Sequence, residues 1–527
     1  YNAMTWELHA DGRVRLHRLD PWAEIVLLKP FGDVEPTAWA FEVGRDEAVF
    51  GFEDGSIRLA SIGFASHFLD EGLEPPELQD LAIGGTRTWG SGVVQRTPEG
   101  QLRVQELQVE VEPPIKRDST SPVRLLDIAI AERGNVRQPV IAAMGEDGGL
   151  SVYRIRKRPD MMTGKVRIKL LPSKLPYEHT EGAPLPDELF VSTQGDVVYA
   201  IWNDGRLLRF YKSQETGQWS LAEEADLVEE DDHEITVAGF LVGKGSLVIG
   251  DSGGRLRVWF RARPLDEAEA ARFADGFRMV AAHTLLERGP APTALGPSER
   301  SRLLTVGLED GTVHVVHVTT DGRVAVTNAG DGPNSQLAHS PKEDLVIAAT
   351  PSHVETWVLH QGHPEVTLRS LFGKIWYEGH SQPEHVWQST GATNEFEPKL
   401  GLMPLISGTL KATFYSLLFG VPIALLAAIF TSEFLAPRVK VPIKSTIEVM
   451  ASLPSVVLGF LAALVIAPFV QDSIASVLVG FLTIPIAFLL GAYFWQLLPH
   501  TLTLRLGTGT RFVALMAFLA FGVLIAG

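Results

Sequence analysis

The stretch from Pro404 to Phe460 reads PLISGTLKATFYSLLFGVPIALLAAIFTSEFLAPRVKVPIKSTIEVMASLPSVVLGF. Between Ala412 and Phe430 there is no charged residue, and about 19 apolar-dominated residues rising about 1.5 Å each nearly cross a hydrocarbon core. A connection holding Arg438, Lys440 and Lys444 follows, and a second long apolar run begins near Ile447. Two membrane-spanning helices joined by a short basic loop are expected. A soluble enzyme has no use for this pattern, and the chain belongs in a membrane.

Working outward, four apolar segments are expected, at about 404–430, 447–470, 475–498 and 512–527. The connection after the first holds three basic residues against Glu433 and Glu448, and that after the third holds Arg505 and Arg511. The second and third segments are separated only by Asp472 as a charge. Positive-inside counting puts the first and third connections in the cytoplasm. The first helix then runs inward, and everything before it lies outside the cytoplasm, which calls for a spanning helix or signal anchor further upstream. Lys411 sits near the outer end, where its ammonium snorkels to the interface. Pro422, Pro454 and Pro485 fall within the spans; each frees a carbonyl and permits a kink, serving either a transport path or simple packing.

Charge divides the chain. Of its 527 residues, those before about residue 400 are polar and acidic, and they carry almost all of the net charge of −17. Such a surface argues against nucleic acid as a partner, because phosphate backbones need clustered Lys and Arg. With no cysteine, disulfides, thiolate nucleophiles and Cys-ligated metals are excluded. The chain opens at Tyr1, has its first Met at position 4 and no apolar signal region, and stops inside an apolar run at Gly527. A fragment cut at both ends is expected.

The acidic part repeats. DGRVRLHRL starts at Asp11, DGSIRLASI at Asp54, EGQLRVQEL at Glu99, DGGLSVYRI at Asp147, DGRLLRFYK at Asp204, GGRLRVWFR at Gly253 and DGTVHVVHV at Asp310, with a degenerate SHVETWVLH at Ser352. Spacings of about 42 to 57 residues suit propeller blades. Asp-Gly makes the tight hairpin turn, and the alternation after it makes a half-buried strand. Upstream of most copies lies another strand, such as EAVFGFE, QPVIAAMG or SLVIGD. The expected fold is therefore multidomain: an all-β, WD40-like β-propeller of seven or eight blades over residues 1–365, then an α-helical membrane region. The count is open because the Glu99 copy sits in an irregular region and reads equally as an extension of a neighbour. The Trp-Asp ending of strict WD40 repeats is absent.

Other local features carry less. The acidic run Glu223–Glu234 lacks the alternating Asp and the glycine of a calcium loop, and reads as a solvated loop. The basic stretch Arg154–Lys169 reads as an exposed hairpin in preference to a docking site for acidic partners or lipid headgroups. Histidines are scattered without ligand spacing, so no metal or cofactor site is assigned. GTGT at Gly507 lacks the preceding strand and the Lys of a phosphate loop.

The pieces MPLISGTLKATF at Met403, PIALLAAIFTSEF at Pro422 and IEVMASLPSVVLGFLAALVIAPFV at Ile447 resemble the PstC-type permease subunit of bacterial phosphate-specific ABC transporters. The preceding IWYEGHSQPEHVWQSTGATNEFEPKLGLMPL is similar to that family's outer segment leading into its second helix. The resemblance covers about Ile375 to Val470, and is greatest to the long form, with a large insertion before the Gly-Thr-Leu helix. It implies a MetI-like permease region, here incomplete; together with the propeller inferred from the repeats, the chain is expected to divide into that propeller (1–365), an extracytoplasmic linker (366–403), core spans (404–470) and an added helix pair (471–527) that has no counterpart in short permeases. It also implies a non-enzymatic subunit in the bacterial inner membrane. The implied partners are a homologous permease subunit, a cytoplasmic ATP-binding dimer, a periplasmic phosphate-binding protein and phosphate itself. The family's coupling loop for the ATPase and its later helix with Arg and Glu are absent from this chain, so no phosphate-binding residue is carried over. Gly408, Thr409, Pro454, Ser455 and Gly459 are the candidates for helix packing or gating, small residues there letting helices approach closely. Two other readings remain open. One is a membrane-anchored propeller scaffold, for which four kinked spans are more than an anchor needs. The other is a quinoprotein-type dehydrogenase, which would need stacked Trp and an acidic calcium cluster.

Overall fold

The repeats of the first part turn on one local device. The Asp11 carboxylate accepts from the Arg13 N–H at 3.0 Å, Asp54 from Ser56 at 2.9 Å, Asp204 from Arg206 at 3.0 Å and Asp310 from Thr312 at 2.9 Å. An aspartate that bonds the backbone two residues on fixes a tight turn. The glycine between them is then driven into the left-handed region, Gly205 to φ 98°. A Cβ there would also meet the Asp226 carboxylate and Val228, so both backbone and packing require glycine.

The computed structural model describes residues 4–19, 22–42, 46–69, 74–133, 136–159, 166–180, 182–229, 233–330, 332–350, 353–391, 397–499 and 508–526. These turns join consecutive antiparallel strands into seven sheets of three or more strands among the described residues. The first holds Met4–Leu8, Val14–Leu19 and Trp22–Leu28; the second begins with Ala38–Glu42, Glu47–Gly51 and Ser56–Phe68. Four-stranded sheets start at Val123, Glu188, Ile235 and Pro292, and a three-stranded one closes the series with Gln336–His339, Leu345–Ala349 and Val354–Val358.

The Glu99 copy builds no sheet of its own. Ser56–Phe68 is 13 residues long, well beyond its partner Glu47–Gly51. Its free half pairs with Leu102–Val111, from Ala60↔Val111 to Phe68↔Arg103, and Gly92–Arg96 and Thr86–Trp89 follow in the same sheet. With the two-residue strand Ile115–Lys116, which pairs with Ser56 and Ile57, the second sheet grows to seven strands.

The sheets stack face to face. Buried clusters each draw on two consecutive sheets: Leu16 and Phe50 in one, Val49 and Ile141 in the next, then Val140 and Phe210, Tyr199 and Ile249, Val258 and Leu304, Val313 and Leu337. Second strands are covered on both faces; Val197–Ile201, Ser246–Asp251 and Leu303–Leu308 are buried throughout. Each large aliphatic side chain so covered contributes about 1.5–3 kcal/mol. The series closes on itself, because a cavity of about 440 Å³ is lined by Trp6 and Leu8 of the first sheet together with Leu337 and Ala349 of the last. Consecutive sheets, shared cores and a central cavity walled by first strands make this part a β-propeller.

Sequence expectations outside the repeats meet the structure variously. Arg154–Lys169 is a hairpin, Leu150–Pro159 pairing with Val166–Lys174, and its tip at 160–165 lies outside the described residues. The acidic run is not wholly a loop: Glu223 to Asp226 belong to the strand Trp219–Asp226, with Glu223 buried; residues 230–232 lie outside the described residues. Short helices α1 (Glu267–Ala270) and α2 (Leu368–Phe372) and a ribbon of Trp387–Gln388 with Lys399–Leu400 complete the first of two compact units, Tyr1–Thr409. The expected linker 366–403 thus falls within the same unit as the propeller.

The second unit, Leu410–Gly527, is helical. Helix α3 (Met403–Ile429) runs into a wider π-helical turn, Phe430–Phe434, and α4 covers Pro437–Ser452. Then come α5 (Ser455–Leu461), a second π turn (Ala462–Ile466), α6 (Ala467–Asp472), α7 (Ile474–Leu497) and α8 (Thr508–Ala526). Among the described residues, three helical runs are long and apolar enough to span a membrane: Met403–Phe434, Ser455–Asp472 and Ile474–Leu497. The expected short basic loop is instead α4. Pro437 opens it at a position where its missing N–H costs nothing, and Lys444 pairs with Glu448 one turn on.

Candidate functional site

Helix boundaries in the membrane region follow from proline. Leu453 is held extended at ψ 138°, as the residue before a proline is pushed out of the helical region, and Pro454 follows as the start of α5. The expected span from Ile447 is therefore broken, and the stretch able to cross begins at Ser455. At the far end of α3, Ala436 is extended at ψ 140° before Pro437. Thr431 Oγ1 bonds back to the Ala427 carbonyl at 2.6 Å and Ser432 Oγ to that of Ile429 at 3.0 Å, where the helix widens.

The five candidate residues fall at two places. Gly408 and Thr409 both lie in the second turn of α3, Thr409 Oγ1 donating to the Leu405 carbonyl at 2.8 Å. Pro454, Ser455 and Gly459 form the break and the start of α5. A Cβ at Gly408 or Gly459 would meet nothing within 4 Å. Close helix approach occurs elsewhere, between α7 and α8: a Cβ at Gly491 would stand 2.9 Å from Phe518 and one at Gly522 2.8 Å from that of Ala487. Thr483 Oγ1 donates to the Gly522 carbonyl at 3.0 Å, and Phe494 stacks on Phe518. Gly480, Ala487 and Gly491 in α7 are buried there; in sequence they do not stand apart from the other small residues of the apolar run.

Polar groups of the propeller are largely committed to one another. Lys244, a non-glycine residue at φ 48°, reaches Glu42 at 2.9 Å, Asp127 at 3.1 Å and the Ile128 carbonyl at 2.5 Å. It ties the second, third and fifth sheets beside a cavity of about 400 Å³. Burial works against its charge, but Asp127 and Glu42 outweigh that and hold its pKa above the usual lysine value. His317 and His339 are each lowered to about 4, chiefly by burial. Among the described residues no group of three or more His, Asp or Glu is placed to hold a metal ion.

The segment leading to α3 is fastened to the propeller by side chains. Glu378 bonds Arg302 at 2.9 Å and the Ser246 hydroxyl at 2.7 Å. His283 Nε2 lies 2.9 Å from the Trp376 carbonyl and its Nδ1 2.8 Å from Asp321, which also takes Arg369 at 2.6 Å. Thr319 donates to Glu397. The arrangement holds a peptide segment against the fifth and sixth sheets.

No family model matches this chain. Among curated proteins it is 32% identical over 103 residues to the phosphate transport system permease protein PstC 1 of Mycobacterium bovis, covering 20% of this chain and 30% of that protein. It is 34% identical over 76 residues to the probable ABC transporter permease protein YqgH of Bacillus subtilis, covering 14% of this chain and 25% of that one. The corresponding figures for PstC of Mesorhizobium japonicum are 29% over 87 residues, 16% and 27%. Part of this chain is ABC permease-like. The chain spans less than a third of the length of these relatives. Similar solved structures include the Cps50 (Swd1) beta-propeller domain of Myceliophteria thermophila, at TM-score 0.40 and 12% identity over 68% of this chain and 94% of that one. Sqt1 of Chaetomium thermophilum gives 0.37 and 14% over 67% and 76%. Sheet order and the cores between sheets, and not these overlaps, carry the propeller assignment.

Proposed function

We propose that the chain is part of the membrane-spanning subunit of an ATP-driven importer of inorganic phosphate, with a seven-bladed propeller placed ahead of its permease helices. The observation that carries this reading is the identity of 32% over 103 residues to a phosphate permease. The apolar runs that suit a membrane, Met403–Phe434 and Ser455–Asp472, accord with it. In this reading residues 404–470 are core spans, 471–527 an added helix pair, and Gly408, Thr409, Pro454, Ser455 and Gly459 the packing and gating positions. The subunit sits in a bacterial inner membrane and pairs with a homologous permease subunit. A separate ATP-binding dimer hydrolyses the nucleotide, and a periplasmic binding protein delivers the anion. The basic residues Arg438, Lys440 and Lys444 mark the cytoplasmic side, which leaves the propeller in the periplasm. An acidic propeller repels free phosphate; its task is docking or regulating a protein.

The test is uptake of labelled phosphate by cells carrying the full-length gene, with and without an in-frame deletion of 404–470. The expected result is loss of high-affinity uptake while the remaining protein still inserts. Unchanged uptake overturns the phosphate reading.

A further inference from the structure

Helix α2 is only one turn long, yet it is rigidly held. Thr367 Oγ1 accepts from the Ser370 N–H at 3.0 Å while the Thr367 N–H donates to Ser370 Oγ at 2.9 Å, a reciprocal cap that satisfies two backbone donors at the start of the helix. The Leu371 carbonyl accepts from the Leu402 N–H at 2.7 Å, and Leu400 pairs with Trp387. The first turn of α3, the Trp387 ribbon and α2 are thus joined backbone to backbone. This framework displays apolar side chains outward: Leu368 is 80% exposed, Phe372 48% and Trp387 41%. Leu368 and Phe372 share one helix face by their spacing of four. Lys374, also exposed, follows directly.

The length of the adjoining span says what lies beside this patch. Met403–Phe434 is a helical run of 32 residues. At about 1.5 Å per residue it is about 48 Å long, and at an ordinary tilt of about 20° it covers about 45 Å, the thickness of a bilayer with both headgroup layers. Its first turn therefore lies at headgroup depth, and so do the residues bonded to Leu402. Apolar and aromatic side chains beside a lysine are what such a depth accommodates, rings and alkyl groups entering the acyl boundary and the ammonium reaching the headgroups.

We propose that Leu368, Phe372 and Trp387 form an interfacial foot that rests in the headgroup layer of the bilayer, so that the propeller's exit is seated on lipid. The proposal requires only that Met403–Phe434 crosses the membrane, and it is independent of the solute carried.

The chain has no cysteine, so Leu368→Cys or Phe372→Cys each places a single environment-sensitive label on the full chain. Leu265→Cys is the control, since Leu265 is 70% exposed on the propeller. Nanodiscs of phosphatidylethanolamine and phosphatidylglycerol with brominated acyl chains supply one quencher, and aqueous iodide the other. Labels at 368 and 372 are expected to lose emission to bromine and to resist iodide, and the label at 265 to do the reverse. Iodide quenching without bromine quenching at both patch positions overturns the proposal. So does shielding from both, which means that a protein covers the patch. Normal phosphate uptake with a failed quenching result separates loss of this inference from loss of the transport reading.

Discussion

His317 shows how a single buried group couples the propeller to pH. Its Nδ1 lies 2.9 Å from Thr320 Oγ1, and that hydroxyl donates to the Pro364 carbonyl at 3.1 Å. The hydroxyl's one proton is thereby used, so the imidazole must be the donor at Nδ1, which the neutral ring manages with the proton on that nitrogen. Burial holds its folded pKa at about 4, against 6.5 for the unfolded chain. Between these values the unfolded chain binds the extra proton, so its share of stability is fully present above 6.5 and is lost as pH falls towards 4. That share is at most about 3 kcal/mol. Thermal midpoints measured from pH 7 down to pH 4.5 should fall in the wild type and fall less in His317→Asn, whose amide N–H can replace Nδ1–H; parallel curves would refute the assignment. Arg209 makes the opposite case. Fully buried, it bonds Glu223 at 3.0 Å, both oxygens of Asp275, and the Phe277 carbonyl. Arg209→Met abandons two buried carboxylates and is expected to destabilise the propeller by about 3–5 kcal/mol, read from the denaturant midpoint of its unfolding. Its sequence context, DGRLLRFYK, gives no hint of burial; only the pairing of Arg209 with Glu223 across neighbouring strands and the approach of Asp275 create the site.

At the scale of elements, legibility follows the range of the cause. The Asp-Gly turns and the uncharged runs could be read because a few neighbouring residues decide them. The seven-strand second sheet could not, since Ser56–Phe68 finds its second partner some 40 residues on. Helix α4 reads as a basic loop in sequence because its charges mask a helical stretch opened by Pro437 and stopped before Pro454. The packing of α7 on α8 escaped because small residues in an apolar run look alike until a partner selects among them. Gly491 and Gly522 are the ones selected, and this can be tested directly. Cysteines replacing Ala487 and Gly522, whose Cβ positions nearly touch, are expected to cross-link in nanodiscs in an otherwise cysteine-free chain. Adding Gly491→Leu drives a bulky side chain into Phe518 and costs about 1–3 kcal/mol, so the cross-link yield should drop. An undiminished yield would place the close approach elsewhere.

For the whole molecule, the informative link is between ring and lead-in. A propeller gains stability from the cores that consecutive sheets share, and nothing in that scheme requires a peptide across its face. Yet Ser246 and His283 of the fifth sheet, Arg302 just ahead of a strand in the sixth, and Asp321 all spend polar groups on 369–378. Glu378 is the hub, being the carboxylate that Arg302 and Ser246 both bind, and Arg302 is buried with the Val242 carbonyl at 3.3 Å as a further partner. Replacing Glu378 by Ala removes charge-assisted bonds worth about 1–3 kcal/mol, and the lead-in should open in proportion, about tenfold for each 1.4 kcal/mol. Trypsin reads this, because Lys374 and Lys399 lie in the segment and cleavage follows the opened population when reclosing is fast. Glu378→Ala should therefore be cut faster between 374 and 399 than the wild type, with Glu378→Gln between the two because its amide can still accept from Ser246. If all three are cut alike, the contacts do not hold the segment, and any influence of the propeller on the membrane helices must travel by another route. If they differ as expected, then a partner that binds the propeller face has a mechanical path, through Glu378 and Leu371, to the first turn of α3.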